Sequence, residues 1–233
     1  MSIIKKIKYR MGRISSKEFV EDLRSKGIKI GEGTVFFNPS SVTIDVTRPY
    51  LLEIGKYTKI TQGTIILTHD YSLSVLRRVY GEWLGEGKKT YIGDNVFIGM
   101  NSIILMGTHI GNNVIVGAGS VVRGNIPDNV VIAGNPAKVV CTLEEHYKKR
   151  KENTTSEAIE CAKAFYERYN RVPTPKDLSG FKFLFTPRDE KILGEYDLNF
   201  ECNGDDSDDV KKHFYATHPK WEDFDKFIDE ALY

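Results

Sequence analysis

An aliphatic side chain returns at every sixth position through the middle of the chain, between Tyr91 and Pro127. A small or β-branched residue comes four positions after most of these aliphatic residues. Because side chains alternate between the two faces of a strand, the aliphatic residue and the residue two before it share one face. A six-residue repeat predicts a parallel β-helix, with one short strand and one turn per hexapeptide. The aliphatic series runs Ile92, Ile98, Ile104, Ile110, Val116 and Val122.

Glycine directly follows several members of this series. Glycine has no Cβ, so we expect these positions to be places where the backbone bends tightly or takes a positive φ. The four glycines are Gly93, Gly99, Gly111 and Gly117.

The same frame extends towards the N-terminus through Ile66 and Ile54, and more weakly to Ile30. The step from Ile66 to Ile92, however, is 26 residues, which leaves two residues over after four hexapeptides. The coil must therefore be interrupted, and we expect an inserted loop over residues 70–90. Repeat proteins tend to place function where an insertion leaves the coil on one side.

The segments on both sides of the β-helix domain, residues 30–141, have helical character. Residues 1–29 predict a short N-terminal helix, capped by Ser15 or Ser16 and ending at Gly27. Its basic residues are most simply a solvated helix face, with attraction to an anionic membrane surface as the alternative. These basic residues are Lys5, Lys6, Lys8, Arg10 and Arg13.

Residues 142–233 predict a helical C-terminal extension. We expect one helix to end at Asn153 and a second to begin at a Ser156 cap. Apolar residues at helical spacing close the chain and predict the packing of a small helical domain, not a ligand site. They are Trp221, Phe224, Phe227, Ile228 and Leu232.

Composition narrows the functional classes. The chain has 33 basic and 32 acidic residues, and this balance argues against nucleic acid as the main partner. Its three cysteines, Cys141, Cys161 and Cys202, form no CxxC pair, so neither a zinc ribbon nor a disulfide framework is indicated. The chain shows no transmembrane stretch and no signal-peptide pattern, so we expect a cytoplasmic protein.

The hexapeptides, the segment ILTHDYS before the insertion, and the segments VGAGSVV and AGNPAK that close the coil resemble those of the hexapeptide-repeat acetyltransferases. That family includes galactoside, maltose and capsular-sugar O-acetyltransferases, and the resemblance covers about residues 28–141. It implies a left-handed β-helix, a homotrimer, and acetyl-CoA bound as co-substrate in the groove between neighbouring coils. No metal is implied.

The resemblance also implies roles for individual residues. His69, in the pair Thr68-His69, matches the general base that takes the proton of an acceptor hydroxyl as it attacks the thioester. Its position supports this role, since it falls in a corner of the coil where the insertion begins. The backbone N–H of Met100 matches the oxyanion donor. The group that orients His69 is not identified by the sequence; Asp70 is adjacent, but consecutive residues need not face each other.

The same resemblance implies most of the co-substrate and acceptor residues, whereas Trp83 is included because it lies in the inserted loop beside His69. We assign Ala118 to the pantetheine arm and Lys138 to the nucleotide phosphates, with Arg123 as a further CoA-binding residue where the family usually has a small hydroxyl residue. Asn38 and Trp83 are assigned to the acceptor.

Two departures from the sugar enzymes bear on the acceptor. Phe97 stands where many of them have tryptophan, and Asp70 replaces the proline common after the histidine in the galactoside and maltose enzymes. The HDYS version is more similar to the acetyltransferases of bacterial surface polysaccharides. We therefore expect transfer of an acetyl group to a sugar hydroxyl, with N-acetylation of an amino sugar or nucleotide sugar as the alternative.

Two other functions compete with acetyl transfer. A zinc site like that of the γ-class carbonic anhydrases needs a close pair of histidines and a third one turn away, whereas this coil has only His69 and His109. A non-catalytic scaffold would explain the coil but would leave the Thr68-His69 corner and the AGNPAK closure as coincidences.

Overall fold

The structure is a computed structural model that describes residues 3–189, 196, 198, 200 and 204–233, with side chains from residue 7 onwards. The side chains of Lys5 and Lys6, and the whole of Cys202, therefore lie outside the described residues. The chain divides into two compact units, Met1–His146 and Tyr147–Tyr233. No helix among the described residues is both long enough and apolar enough to cross a membrane.

The first unit is the predicted left-handed parallel β-helix, and this expectation is confirmed. Its coils are triangular, with each side contributing a strand to one of three sheets. The first sheet holds β1 (Lys29–Ile30), β4 (Leu52–Ile54), β7 (Thr90–Ile92), β10 (His109–Ile110) and β13 (Asn125–Ile126). The second holds β2 (Val35–Phe36), β5 (Lys59–Ile60), β8 (Phe97–Ile98), β11 (Ile115–Val116), β14 (Val130–Gly134) and the antiparallel β15 (Ala137–Thr142). The third holds β3 (Thr43–Ile44), β6 (Ile65–Ile66), β9 (Ile103–Ile104) and β12 (Val121–Val122).

The repeated aliphatic residues form the core in vertical columns. Ile54, Ile92 and Ile110 are paired in register on the first sheet, and all three are almost fully buried. Burying one such side chain contributes about 1.5–3 kcal/mol. The second inward position holds either valine, as at Val96 and Val114, or a hydroxyl residue. The hydroxyl residues bond to carbonyls of neighbouring segments, as when Thr58 donates to the Gly93 oxygen at 3.0 Å. Buried hydroxyls need such partners, so these residues fit the narrow interior without an unpaired polar atom.

Stacked asparagines, not the predicted glycines, take the left-handed backbone at the corners. Asn95, Asn113 and Asn129 have φ between 53° and 59°, and their side-chain amides bond to one another from coil to coil at 2.9 and 3.0 Å. Gly93 does not have a positive φ, but a Cβ there would lie 2.5 Å from the backbone oxygen of Gly111. The glycine is therefore required because the next coil approaches closely.

The interruption of the repeat contains a helix, α3 (Leu73–Tyr80), and no residue of that helix is buried. The base of the insertion is closed by two bonds. The Lys88 N–H donates to the Thr68 oxygen at 3.1 Å, and the Thr90 hydroxyl donates to the Leu67 oxygen at 2.7 Å. The insertion is thus a helical arm held at its base on one corner of the coil.

The N-terminal segment consists of α1 (Ile3–Arg10) and α2 (Ser16–Ser25). Ser15 caps α2 in a capping box with Glu18, as one of the two expected caps. The apolar side of α2 covers the open end of the coil, where Phe19 meets Phe36 edge to face at 5.0 Å. This helix therefore seals the end of the β-helix core.

The second unit begins within α4 (Leu143–Tyr169) and also contains α5 (Ser207–Tyr215) and α6 (Phe224–Leu232). The expected break in α4 is wrong, because the helix is continuous and the Ser156 hydroxyl donates back to the Asn153 oxygen at 2.9 Å. A hydroxyl that bonds the preceding turn can remain inside a helix. The aromatic packing is confirmed, with Trp221 and Phe227 buried in one apolar cluster.

Gly93→Ala tests the close stacking of coils. Because the added Cβ would meet backbone atoms that cannot move aside, we expect a loss of about 1–3 kcal/mol in unfolding free energy, measured by urea denaturation. Gly85→Ala is the matched control, since its Cβ would meet nothing within 4 Å. Equal stability of the two variants would contradict this account of the corner glycines.

Candidate active site

The three corners of the coil carry different chemistry, and each is named here by its residues. The histidine edge joins the third sheet to the first and contains His69, Leu105 and Arg123. The glycine edge joins the second sheet to the third and contains Met100 and Ala118. The asparagine edge, which joins the first sheet to the second, carries the amide ladder described above.

His69 is held by a carboxylate from the preceding coil. Its Nδ1 lies within hydrogen-bonding distance of Asp45 Oδ2, and its ring meets Tyr71 edge to face at 4.5 Å. The carboxylate accepts, so the Nδ1 atom carries the proton and Nε2 is left as the basic nitrogen. The side chain of His69 is only 11% exposed, so the orientation of the ring is restrained by its surroundings.

Asp45 is buried but richly bonded. The N–H and the hydroxyl of Thr47 donate to its Oδ1 at 3.0 and 2.7 Å, and the N–H and the hydroxyl of Thr68 donate to its Oδ2. Burial by itself raises the pKa of Asp45, but the hydrogen bonds from Thr47, Thr68 and His69 outweigh it and hold the pKa well below its usual range. The carboxylate is therefore ionised and can hold the imidazole in one tautomer.

A cavity of about 330 Å³ lies between His69 and the helical arm. Trp83 lines it, as the assignment to the acceptor requires, and the guanidinium of Arg77 lies 4.3 Å from the centre of the Trp83 ring. Arg48 reaches the cavity from the coil and donates to the Glu86 backbone oxygen. The volume lies within the range of small-molecule sites.

A second cavity, of about 500 Å³, runs from His69 along the histidine edge. Its walls include Leu67, Leu105 and Met106, and Arg123 lies two coils beyond Leu67. His69, Asp70 and Tyr71 line both cavities. His69 therefore stands where a cavity of mixed polar and apolar lining meets a largely apolar groove.

The other sequence-predicted site residues lie elsewhere on the chain. Met100 and Ala118 are on the glycine edge, and among the described residues no acceptor takes either backbone N–H. Lys138 is exposed beside that edge, paired with Ala133. Asn38 is on the same edge, in a left-handed backbone conformation before Pro39. One chain thus does not bring these residues to His69, whereas Arg123 and Trp83 share its surroundings.

Comparison with known proteins places the chain in a family. The family described as "Hexapeptide repeat of succinyl-transferase" matches residues 89–123. Protein CapG of Staphylococcus aureus is 42% identical over 142 residues, covering 60% of this chain and 81% of that protein. Putative acetyltransferase YvoF of Bacillus subtilis is 34% identical over 126 residues, covering 54% and 67%. The chain belongs to the hexapeptide-repeat acetyltransferases. The family resemblance and the expected acyltransferase class are thereby confirmed.

A third relative is also named as an acetyltransferase. It is the "putative lipopolysaccharide biosynthesis O-acetyl transferase WbbJ" of Escherichia coli, which is 37% identical over 120 residues. The alignment covers 47% of this chain and 61% of that protein.

Asp45 is the site residue that sequence analysis missed in this acetyltransferase. It stands 24 residues before His69, in the early part of the coil where the hexapeptides are degenerate. Ile44 pairs with Ile66, so Asp45 lies one coil from Leu67 and next to Thr68. An acidic residue directly after an inward aliphatic, one coil before the histidine, is the signal that could have found it.

The remaining histidine of the coil, His109, lies on the outer face of the first sheet, stacked on Tyr91 at 4.6 Å between ring centres. Within the part of the chain that the structure describes, no group of three or more His, Cys, Asp or Glu residues could hold a metal ion.

Asp45→Asn tests the ionised carboxylate through folding stability. Because the pKa of folded Asp45 lies below the unfolded value of about 3.9, its stabilisation is present above that pH and is lost as the pH falls through the folded-state pKa. We expect the variant to lose about 1–3 kcal/mol of unfolding free energy near pH 7, and the difference from wild type to narrow between about pH 4 and about pH 2. A difference that stays constant over this range would show that Asp45 does not act as a carboxylate.

Proposed function

We propose that this protein transfers the acetyl group of acetyl-CoA to a hydroxyl of a sugar, with His69 as general base and Asp45 as its positioning residue. The observation that supports this most is the Asp45–His69 pair at the meeting point of the two cavities. The name of the relative WbbJ supports an oxygen nucleophile.

The reaction needs one group that takes up a proton and later returns it. It forms no covalent intermediate with the enzyme. His69 Nε2 takes the proton of the acceptor hydroxyl as its oxygen attacks the thioester carbonyl. The tetrahedral intermediate then expels the CoA thiolate, which takes the proton from the imidazolium and leaves as the thiol. Asp45 stabilises the imidazolium that forms between these steps, because its carboxylate faces Nδ1.

Each cavity suits one substrate. The cavity under the arm offers Trp83 and polar groups, which fits a sugar ring. The groove offers Leu67, Leu105 and Met106, which fits the pantetheine arm, with Arg123 further along it. In this arrangement the hydroxyl and the thioester meet at His69, which supplies the proximity that direct transfer needs.

A homotrimer would complete this site. The histidine edge and the glycine edge border opposite sides of the third sheet. The outward side chains of that sheet are mainly apolar: Thr43, Ile65, Ile103 and Val121. The outward residues of the first sheet are mainly polar; Lys29, Glu53 and His109 are among them. We therefore propose that the third sheet lies against neighbouring subunits and that a head-to-tail contact joins the two edges in a closed ring.

In such a ring the glycine edge of the neighbouring subunit supplies the remaining groups. The free N–H of Met100 would face the developing oxyanion, and the free N–H of Ala118 would contact the pantetheine amides. Lys138 would meet the nucleotide phosphates as a mobile point charge. Asn38 lies on this edge as well, which keeps it available to an acceptor bound across the interface.

His69→Ala tests the base. We expect kcat to fall by about 10²–10⁴-fold, with acetyl-CoA affinity nearly unchanged, measured by thiol release over a panel of sugars and nucleotide sugars. His109→Ala is the matched control, because that exposed histidine lies on the first sheet away from both cavities. Activity of His69→Ala within a few-fold of wild type would remove the residue from the mechanism.

Loss of the product acetyl group in mild alkali would distinguish an ester from the amide of an N-acetylated amino sugar.

Lys138→Ala tests the proposed contact between Lys138 and the nucleotide phosphates of CoA across the subunit interface. Because a phosphate contact is far from the reacting carbonyl, we expect weaker CoA binding with little change in turnover at saturation. Calorimetry with CoA and with dephospho-CoA measures the contact, and sedimentation of the CoA complex gives the assembly. A monomer that binds CoA would contradict the proposal that the CoA site is shared between subunits. An unchanged CoA affinity in the variant would contradict the proposed role of Lys138.

A further inference from the structure

We infer that the acceptor sugar bears an anionic group, a carboxylate or a phosphate, which Arg77 and Arg48 bind in the cavity that His69 also lines. This inference rests on the proposed function, because it identifies the class of acceptor for the same site. A general base at His69 does not determine which kind of sugar binds, whereas the other side chains that line the cavity do.

The guanidinium of Arg77 is available to bind a ligand. Its guanidinium lies over the Trp83 ring, and among the described residues no carboxylate or carbonyl pairs with it. Stacking on an indole occupies the flat face of a guanidinium and leaves its edge N–H groups directed outward. Those N–H groups form the fork that binds a carboxylate or phosphate through two parallel hydrogen bonds.

Arg48 adds a second guanidinium on the coil side of the cavity. It donates to the Glu86 backbone oxygen, and a Cβ at Gly87 would meet its Nη1 at 2.7 Å. The guanidinium is therefore packed against the backbone of the insertion and held in place. A guanidinium has five N–H donors, so one bond leaves most of them for a ligand.

Each of the two acidic side chains of the cavity has one contact within the protein. Asp70 Oδ1 accepts the backbone N–H of Ser72 at 2.6 Å, and this bond lowers the pKa of Asp70. Glu86 faces the Lys88 ammonium at 4.0 Å. A neutral sugar needs acceptors as well as donors from its site, whereas guanidiniums offer only donors and a positive charge. The lining therefore favours an anionic acceptor.

The cavity size supports one sugar ring with its substituent. At about 330 Å³ it lies near the lower limit of ligand sites, and a ring stacked beside Trp83 would place an anionic substituent at the arginines. The hydroxyl to be acetylated would then project towards His69.

Trp83 provides a direct measurement of acceptor binding. The chain has two tryptophans, of which Trp83 is 83% exposed and Trp221 is 5% exposed in the other unit. Fluorescence is titrated with hexuronates, hexose 1-phosphates and UDP-hexoses against the matching neutral hexoses, at constant ionic strength. Trp83→Phe identifies the responding residue, and inorganic phosphate and acetate show whether the anion alone is enough.

We expect at least one anionic sugar to bind about tenfold or more tightly than its neutral counterpart, the size expected of a charge-assisted bidentate contact. Arg77→Gln should abolish that preference. Arg78→Gln is the matched control, since it removes the same charge from the next residue of the arm, which does not line the cavity. Preference for hexuronates or for the phosphorylated sugars identifies which anion is bound.

Equal affinities for charged and neutral sugars, or equal effects of Arg77→Gln and Arg78→Gln, would overturn the inference. Binding of the free anions as tightly as the sugars would also overturn it, because the site would then lack sugar recognition. The proposed function is judged separately by thiol release. Anionic sugars that bind through Arg77 but never accept an acetyl group would confirm the anion-binding site and remove the transferase mechanism, and with it their role as acceptors.

Discussion

The register between successive coils is the constraint on which the rest of this structure depends. Each coil bonds to the next through parallel backbone contacts, such as that from the Gly55 N–H to the Ile92 oxygen at 2.8 Å. A slip of one residue would turn every inward aliphatic side chain to the outside, so the register is strongly specified. Coils in register lie about 4.8 Å apart, which brings Asp45 against Thr68 and His69 across 24 residues of chain.

That stacking also explains why a buried carboxylate is stable beside the coil. Asp45 would be costly to bury alone, but the backbone and hydroxyl groups of Thr47 and Thr68 surround it with donors. The network fixes the carboxylate, and the carboxylate fixes the imidazole of His69. A base whose orientation is determined before substrate arrives needs little rearrangement during the reaction.

The triangular section of the coil places the residues proposed for acetyl transfer on different edges. His69 and the helical arm lie on one edge, while Met100 and Ala118 lie on another. The arm itself has no buried residue in α3, and exposed apolar residues such as Val75 and Val79 remain available for contact. The first unit is thus a rigid repeat with its chemistry at the corners, which is consistent with a site shared between subunits.

The sequence by itself determined the coil, its interruption and the family, because a six-residue period repeats one local pattern and each hexapeptide buries its own aliphatic residue. It also predicted the proposed role of His69, because the Thr68-His69 pair stands at the corner where the insertion begins. Only the tertiary structure decided that Asp45 orients His69 and that Arg77 stacks on Trp83, because these pairs depend on coil stacking and on how the arm folds back. The tertiary structure also decided why glycine is needed at the corners, since the atoms that a Cβ would meet there belong to the next coil.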